Sequence, residues 1–151
     1  MKGLYLLLLR LDKSQQIYVG RLGRRLFLKG FYAYAGSALN GLESRVNRHL
    51  SDDKKLFWHI DYLLEKASVY EVILIPTEEK LECILAAALE KRLVCIRHFG
   101  SSDCKCPGHL FYAAEKKELD RQVTVALASL GPVFYRYPAK EFRAGKTILT
   151  Q

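Results

Sequence analysis

The chain has 151 residues, half of them hydrophobic, which is enough to bury one core and too few for two independent domains. Lys and Arg outnumber Asp and Glu by 24 to 16, so the formal charge is +8. A positive field on so small a body favours a polyanionic partner, nucleic acid above all, although the same charge can serve solubility alone. Cys83 and Cys95, the first two of four cysteines, lie in apolar runs, which argues against a secreted disulfide scaffold.

The N-terminal apolar run, residues 4–9, resembles a signal peptide only briefly. Arg10 and Asp12 end it, and no small-residue cleavage site follows. No stretch approaches the roughly 20 apolar residues that a membrane-spanning helix needs. We therefore expect a protein without a membrane segment, located in the cytoplasm.

Short apolar or alternating runs bounded by turn residues predict strands along the whole chain. Residues 31–35 alternate aromatic and small side chains, which favours a central strand that Gly36 and Ser37 end. Polar turns after the first strand predict a hairpin. The strand candidates are residues 3–11, 17–22, 26–28, 31–35, 69–75, 94–96 and 110–113.

Periodic apolar positions predict helices between these strands: residues 40–50, 58–64, 77–92 and 117–128. Asn40 is the predicted N-cap of the first, whose apolar stripe comprises Leu39, Leu42, Val46 and Leu50. Thr77 is the predicted cap of the third, whose buried face comprises Leu81, Ile84, Leu85, Ala88 and Leu89. With no repeat or linker in the sequence, we expect a single domain over residues 1–151, with residues 130–151 as a C-terminal tail.

Two short motifs carry a family resemblance. Gly3-Leu4-Tyr5 lies on the first strand, and Tyr34-Ala35-Gly36 lies at the end of a later one. Downstream follow Asn40, Arg45 and His49 on one helix and Glu82 on another. This ordered set resembles the GIY-YIG endonuclease superfamily. Residues 36–42, 59–64 and 100–106 are similar to its Uri-type branch, so the resemblance covers nearly the whole chain.

The resemblance implies a mixed α/β (α+β) fold, in which a small, mainly antiparallel sheet of three or more strands is flanked by helices. The interval between Tyr5 and Tyr34 is longer than the family usually has. An additional N-terminal hairpin accounts for the extra residues.

The resemblance also implies a site that hydrolyses phosphodiester bonds in DNA. Tyr5 would take a proton from water, which requires nearby positive charge because a phenol has a pKa near 10. Tyr34 would place the water or the phosphate, Arg45 would hold the phosphate in a forked contact, and His49 would assist proton transfer or contact phosphate. The implied substrate-binding set is Gly36, Ser37, Asn40 and Arg48.

Glu82 is the implied metal ligand, for one Mg²⁺ (or Mn²⁺) ion that needs few protein carboxylates. Its position supports a special role independently. It borders an apolar helix face beside Leu81 and Leu85, where an unpaired carboxylate would be costly.

Two polar clusters leave alternatives open. His59 and Asp61 form either part of the cleft or a structural hydrogen-bonded pair. Asp103 and His109 belong to a loop whose Cys-x-Cys-x-x-His spacing, from Cys104, invites a zinc site; a fourth ligand such as His98 would be needed. We interpret this loop as a border of the active site, and we consider a zinc site the less favoured hypothesis.

The sequence thus predicts a metal-dependent endonuclease, with nucleic acid, preferably DNA, as partner. Two alternatives remain: a non-catalytic nucleic-acid-binding module of the same fold, and a zinc-bearing interaction protein centred on Cys104, Cys106 and His109.

Overall fold

The computed structural model describes residues 1–102 and 104–143. The strands in this part are β1 (Gly3–Leu11), β2 (Gln15–Tyr18), β3 (Arg24–Phe27), β4 (Gly30–Ala38), β5 (Ser68–Pro76), β6 (Val94–Ile96), β7 (Leu110–Ala113) and β8 (Tyr135–Pro138). The helices are α1 (Leu42–Leu50), α2 (His59–Leu64), α3 (Glu82–Glu90), α4 (Lys116–Leu130) and α5 (Ala139–Arg143), and a 3₁₀ turn spans Gly20–Leu22.

Six strands form one antiparallel sheet in the order β6-β7-β4-β1-β5-β8, and β2 pairs with β3 in a separate hairpin. Helices flank the main sheet. The predicted α+β class is confirmed, and so is the additional hairpin. Ile17 and Phe27 are almost fully buried, so they fix this hairpin to the main core.

The central strand β1 is buried on both faces, which explains its continuous apolar run. Its alternate residues Tyr5, Leu7 and Leu9 pack in a core cluster with α1, α2 and α5. The intervening residues, Leu4 among them, pack in a second cluster with α3 and α4. On β4, Tyr32 and Tyr34 face the first cluster and Ala33 and Ala35 face the second, so Tyr5 and Tyr34 lie on the same side of the sheet.

The start of α1 differs from the sequence prediction. β4 continues through Gly36 and Ser37 to Ala38, and Gly41, rather than Asn40, is the residue before the helix. Its φ of 66° lies in the left-handed region that glycine adopts at low cost. Leu39 is 79% exposed because it precedes the helix, whereas the other three stripe residues are buried.

The start of α3 also differs. Thr77 does not cap the helix; its Oγ1 accepts the N–H of Glu79 at 3.1 Å in a local turn. The helix begins at Glu82, so Glu82 and Cys83 occupy its first turn. Ile84 is 56% exposed and lies outside the buried face, which Leu85 and Leu89 dominate.

Two shorter differences concern the hairpin and the C-terminal segment. The predicted strand at residues 17–22 is a strand only as far as Tyr18 and then becomes the 3₁₀ turn. Within the predicted tail, β8 pairs with β5 at the sheet edge and Phe142 of α5 is buried in the core. The tail beyond residue 143 lies outside the described residues. Among the described helices, none has the length and apolar character needed to cross a membrane.

Candidate active site

A cleft of about 790 Å³ lies at the end of the sheet where β1 begins and β4 ends. Six of the nine residues predicted for catalysis or substrate binding line it: Tyr5, Tyr34, Gly36, Ser37, Arg45 and Glu82. These residues come from β1, β4, α1 and α3. Segments that are distant along the chain therefore contribute to a single concave surface.

Tyr5 reaches its position because Gly36 faces it across the β1–β4 pairing. A Cβ atom at residue 36 would collide with the Tyr5 ring. Glycine thus allows the phenol to lie across the neighbouring strand. Tyr5 Oη lies 2.7 Å from Nε2 of His49, which belongs to the last turn of α1 and is also buried.

Burial sets the protonation of this pair. It lowers the pKa of His49 to about 4, against the opposing influence of Asp61, so the imidazole is neutral at neutral pH. Burial likewise raises the pKa of Tyr5 well above its usual value; Tyr34 adds to this effect and Arg45 opposes it. The resting pair is therefore a phenol donating to a neutral imidazole. The positive charge of Arg45 acts in the expected direction, but burial outweighs it.

Tyr34 completes an aromatic group with this pair. Its ring centroid lies 6.4 Å from that of Tyr5 and 6.2 Å from that of His49. Burial, followed by the charges of Glu82 and Asp61, raises the pKa of Tyr34. Tyr34 therefore enters the cleft as a neutral phenol that can donate a hydrogen bond.

Arg45 is held at the cleft by two contacts. Its Nη1 donates to the Ser37 carbonyl at 2.9 Å, and its guanidinium carbon lies 4.9 Å from the centroid of Trp58. Stacking on an aromatic ring and one anchored N–H restrict the guanidinium plane, while other N–H groups remain for an anion. Trp58 lines the cleft and is a site residue that the sequence prediction missed. Trp58 is the only tryptophan in the chain, and this is the feature by which the sequence could have drawn attention to it.

Arg48, predicted to bind substrate, does not line the cleft and is paired with Asp61. Its guanidinium donates to both carboxylate oxygens of Asp61, at 3.0 and 3.1 Å. The fully buried Asp61 also accepts the backbone N–H groups of Phe57 and Trp58. Although burial opposes it, these hydrogen bonds hold the pKa of Asp61 below its usual value. The Arg48–Asp61 pair therefore fixes the approach to α2 and the position of Trp58.

Two further predicted residues, His59 and Asn40, have other partners. His59 lines the cleft, but its Nδ1 accepts the Gly100 N–H at 2.9 Å rather than bonding Asp61. Asn40 is exposed and does not line the cleft; the N-terminal amine is 3.5 Å from its Oδ1. The prediction for Asp103 falls outside the described residues.

Glu82 faces His109 across the cleft wall. Its Oε2 lies 2.7 Å from His109 Nδ1, out of line with the ring N–H, so the contact is short but not an ideal hydrogen bond. Burial works against ionisation here, yet His109 and Ser37 hold the pKa of Glu82 below its usual value. The carboxylate is thus charged and paired.

A second group of chemically active side chains adjoins Glu82: Cys83, Cys104, Cys106 and His109. Their ligand atoms all lie within 4.8 Å of one another. A tetrahedral zinc ion with Zn–S bonds of about 2.3 Å separates its ligands by about 3.8 Å, so only small side-chain shifts are needed. We call these four residues the Cys3His cluster.

The Cys3His cluster corrects the cofactor prediction. An Mg²⁺ or Mn²⁺ ion at Glu82 requires an oxygen-rich site, whereas the metal-ligand group found among the described residues is rich in sulfur and typical of zinc. The preference against zinc was therefore wrong. The fourth member of the cluster is Cys83 and not His98; α3 begins at Glu82, which puts Cys83 in its first turn.

A family model described as Domain of unknown function DUF123 matches residues 4–131. The chain belongs to this family. Neither the curated proteins nor the solved structures gave a significant match.

The DUF123 match runs from β1 to the end of α4 and so includes both the cleft and the Cys3His cluster. Cys83 and Cys104 line the cleft together with Glu82 and His109. In this DUF123 domain, the tyrosine cleft and the cluster are therefore adjacent parts of one surface.

Proposed function

We propose that this DUF123 domain is an endonuclease of the GIY-YIG superfamily, in its Uri-type branch, and that it hydrolyses phosphodiester bonds in nucleic acid, with DNA as the expected substrate. The observation that carries the proposal is the convergence of Tyr5, Tyr34, Arg45 and Glu82 on one cleft, with His49 bonded to Tyr5. These residues follow the order of the family motifs. Because these residues converge on one cleft, they could act together on one phosphodiester bond.

The Tyr5–His49 pair is the proposed base. As the water oxygen bonds to phosphorus, its proton passes to Tyr5 Oη while the phenol proton passes to His49 Nε2, 2.7 Å away. His49 is neutral, so the lone pair of its Nε2 is available to accept that proton. The transfer avoids a free phenolate, which burial disfavours. The leaving P–O bond then breaks and its oxygen takes a proton from solvent, while His49 releases its proton to solvent and returns to the neutral state.

Arg45 is the proposed phosphate contact. Its guanidinium is restrained by Ser37 and Trp58 before any substrate arrives, so little reorganisation is needed when charge develops on the phosphoryl oxygens. Arg21 is a second cation on the cleft lining. Among the described residues Glu82 is the one carboxylate on that lining, and it is proposed to orient the attacking water.

A non-catalytic nucleic-acid-binding module is the second candidate, and one observation favours it. Tyr5 is only 2% exposed and Tyr34 only 8%, so little of either phenol is accessible to a substrate. A binding module predicts salt-sensitive affinity without cleavage. The net positive charge is compatible with both candidates.

The deciding experiment incubates zinc-loaded protein with single-stranded, nicked, branched and duplex DNA and with RNA, with a parallel series containing added divalent cations. We expect cleavage of at least one substrate by wild type and strong loss in Tyr5→Phe and Glu82→Ala. Tyr112→Phe is the matched control, because it removes a hydroxyl that bonds Lys29 O away from the cleft. Absence of cleavage on every substrate, or equal cleavage by all variants, would overturn the proposal.

We also expect the protein to be in a reducing compartment, namely the cytoplasm, because of the cysteines in the Cys3His cluster. Thiolates must stay reduced to bind a metal. The four cysteines are free in the described residues.

A further inference from the structure

We propose that the Cys3His cluster binds one Zn²⁺ ion as a closed structural site, and that this ion positions Glu82 through His109. The ligands come from two separate segments. Cys83 belongs to the first turn of α3, and the other three belong to residues 104–109. A bound ion therefore joins the start of a helix to a loop that has little regular secondary structure of its own.

The ligand count assigns the ion a structural role. Three sulfur atoms and one imidazole nitrogen fill a tetrahedral shell, whereas catalytic zinc sites keep one position for water or substrate. An ion held in this way does not itself activate water. It contributes to folding instead, because its binding free energy stabilises the arrangement that presents the ligands.

The orientation of His109 provides a second, independent observation. Nε2 of His109 lies 3.4 Å from Cys104 Sγ and so faces the other ligands. Nδ1 faces Glu82 Oε2 at 2.7 Å. A zinc ion on Nε2 requires the ring proton to be on Nδ1, which lies beside the Glu82 carboxylate. Carboxylate, histidine and zinc stand in the order that fixes a zinc-bound imidazole in other metal sites.

Glu82 is consequently restrained from two directions. Its chain neighbour Cys83 is one ligand, and its side chain contacts the ring of another, His109. His109 is 2% exposed, so its ring has little freedom once the ion is bound. Glu82 is thus a positioning partner of the metal site as well as a residue of the cleft. The consequence for catalysis rests on the proposed function; zinc binding does not.

Metal content is the first test. Protein purified after expression with zinc should contain one equivalent of zinc per chain. Replacement by Co²⁺ should give the visible absorption of a tetrahedral complex and near-ultraviolet thiolate-to-metal charge-transfer bands. Substoichiometric zinc after full loading, or a cobalt spectrum without thiolate bands, would overturn the site.

Thiol protection tests the ligand set in the wild-type protein. Alkylation followed by mass spectrometry should leave Cys83, Cys104 and Cys106 unmodified in the zinc-loaded protein and label them after chelation. Cys83 is the sensitive reporter, because its side chain is exposed when no ion covers it. Equal labelling of Cys83 with and without zinc would contradict the proposal.

Variants then separate the ligands from the bystander cysteine. Cys106→Ser should lose tight zinc binding, whereas Cys95→Ser, the same change at a cysteine of β6 outside the cluster, should retain it. Retention of tight zinc binding by Cys106→Ser, or its loss in both variants, would contradict the ligand assignment. Should Cys106→Ser fail to fold, the alkylation pattern of the wild type decides.

Glu82→Gln tests the positioning step. It should still bind zinc, but with an affinity lowered about 10- to 100-fold, the effect typical of removing a partner of a metal-bound histidine. Glu79→Gln, an exposed neighbour, should bind zinc like wild type. Unchanged affinity in Glu82→Gln would refute the coupling. None of these assays contains nucleic acid, so an inactive protein that binds zinc as described would overturn the nuclease proposal alone.

Discussion

The tyrosine cleft and the Cys3His cluster lie side by side but are held in place by different means. The cleft side chains Tyr5 and Tyr34 project from central strands whose pairing fixes them against each other. The cluster joins a loop to the first turn of a helix, and its four ligand atoms lie within 4.8 Å of one another. Strand register therefore presets one region, whereas we expect a bound ion to organise the other. Glu82 and Cys83, adjacent in sequence, connect the two.

Removing the Tyr5 hydroxyl should have the largest effect and should affect the cleft alone. We expect Tyr5→Phe to lower the cleavage rate by about 10²- to 10⁴-fold, the contribution typical of a general base. Zinc content should not change. Single-turnover cleavage and metal analysis of the same preparation check both statements; a variant that lost zinc along with activity would show that the regions are not separable.

Removing Arg45 should have the second-largest effect. Arg45→Ala should lower the cleavage rate by about 10²- to 10³-fold, as for loss of one preorganised charge-stabilising group. Arg45→Lys should restore little, because a lysine lacks the planar fork that Ser37 and Trp58 orient. Arg92→Ala, which removes the same charge at the end of α3, is the control. Equal losses in Arg45→Ala and Arg92→Ala would reduce the role of Arg45 to general electrostatics.

The buried His49 should make stability depend on pH. Its pKa falls from an ordinary value of 6.5 to about 4 on folding, chiefly through burial. The unfolded chain therefore takes up the proton first as the medium becomes acidic. Stability from this group is fully present above pH 6.5 and is lost as pH falls towards 4, by roughly 3 kcal/mol in total.

Urea unfolding between pH 4 and 7 measures this loss. The difference between wild type and His49→Gln isolates His49 from the other titrating groups, His59 and His109 among them. The same pH slope in both proteins would mean that His49 is not held neutral by the core.

Gly36→Ala should destabilise the cleft by about 1–3 kcal/mol, as overpacking of a core usually does, because the new methyl group meets the Tyr5 ring. The cost should shrink in the double variant Tyr5→Ala/Gly36→Ala, where the collision is absent. Denaturant unfolding of the four proteins gives the coupling. Additive losses would contradict the close approach of ring and strand. Zinc affinity should be unchanged throughout.

Asn40→Ala should have the smallest effect. Asn40 is exposed and outside the cleft, so we expect a change in stability within about 0.5 kcal/mol and cleavage equal to that of wild type. Thermal unfolding and the cleavage assay check this. A strong loss of activity would restore the substrate-binding role that the family resemblance implies.

Several elements could be predicted because local pattern and tertiary environment agree. β1, β6 and β7 coincide with apolar runs that were long enough or cleanly bounded, and α2 follows its periodic pattern closely. The starts of α1 and α3 were predicted less accurately. At α1 the decisive feature is the left-handed backbone of Gly41, and at α3 Thr77 satisfies a local turn instead of a helix end.

The candidate site could likewise be predicted only in part. Tyr5, Tyr34, Arg45 and Glu82 were recognisable from ordered motifs. Trp58 was missed because its contribution depends on the stacking of Arg45. The pairing of Arg48 with Asp61 was not predicted, since Asp61 lies 13 residues away on another helix and no spacing rule links the two residues.

The sequence by itself determined the two-faced β1 strand, the alternation of large and small residues in β4 and the charge that favours a polyanion. These follow from side-chain period and composition, which are local properties. Only the tertiary structure decided that Cys83 joins Cys104, Cys106 and His109 and that Glu82 faces His109. The physical reason is that ligands and ion pairs are selected by distance in space, and the fold brings the start of α3 against a loop some 20 residues further along the chain.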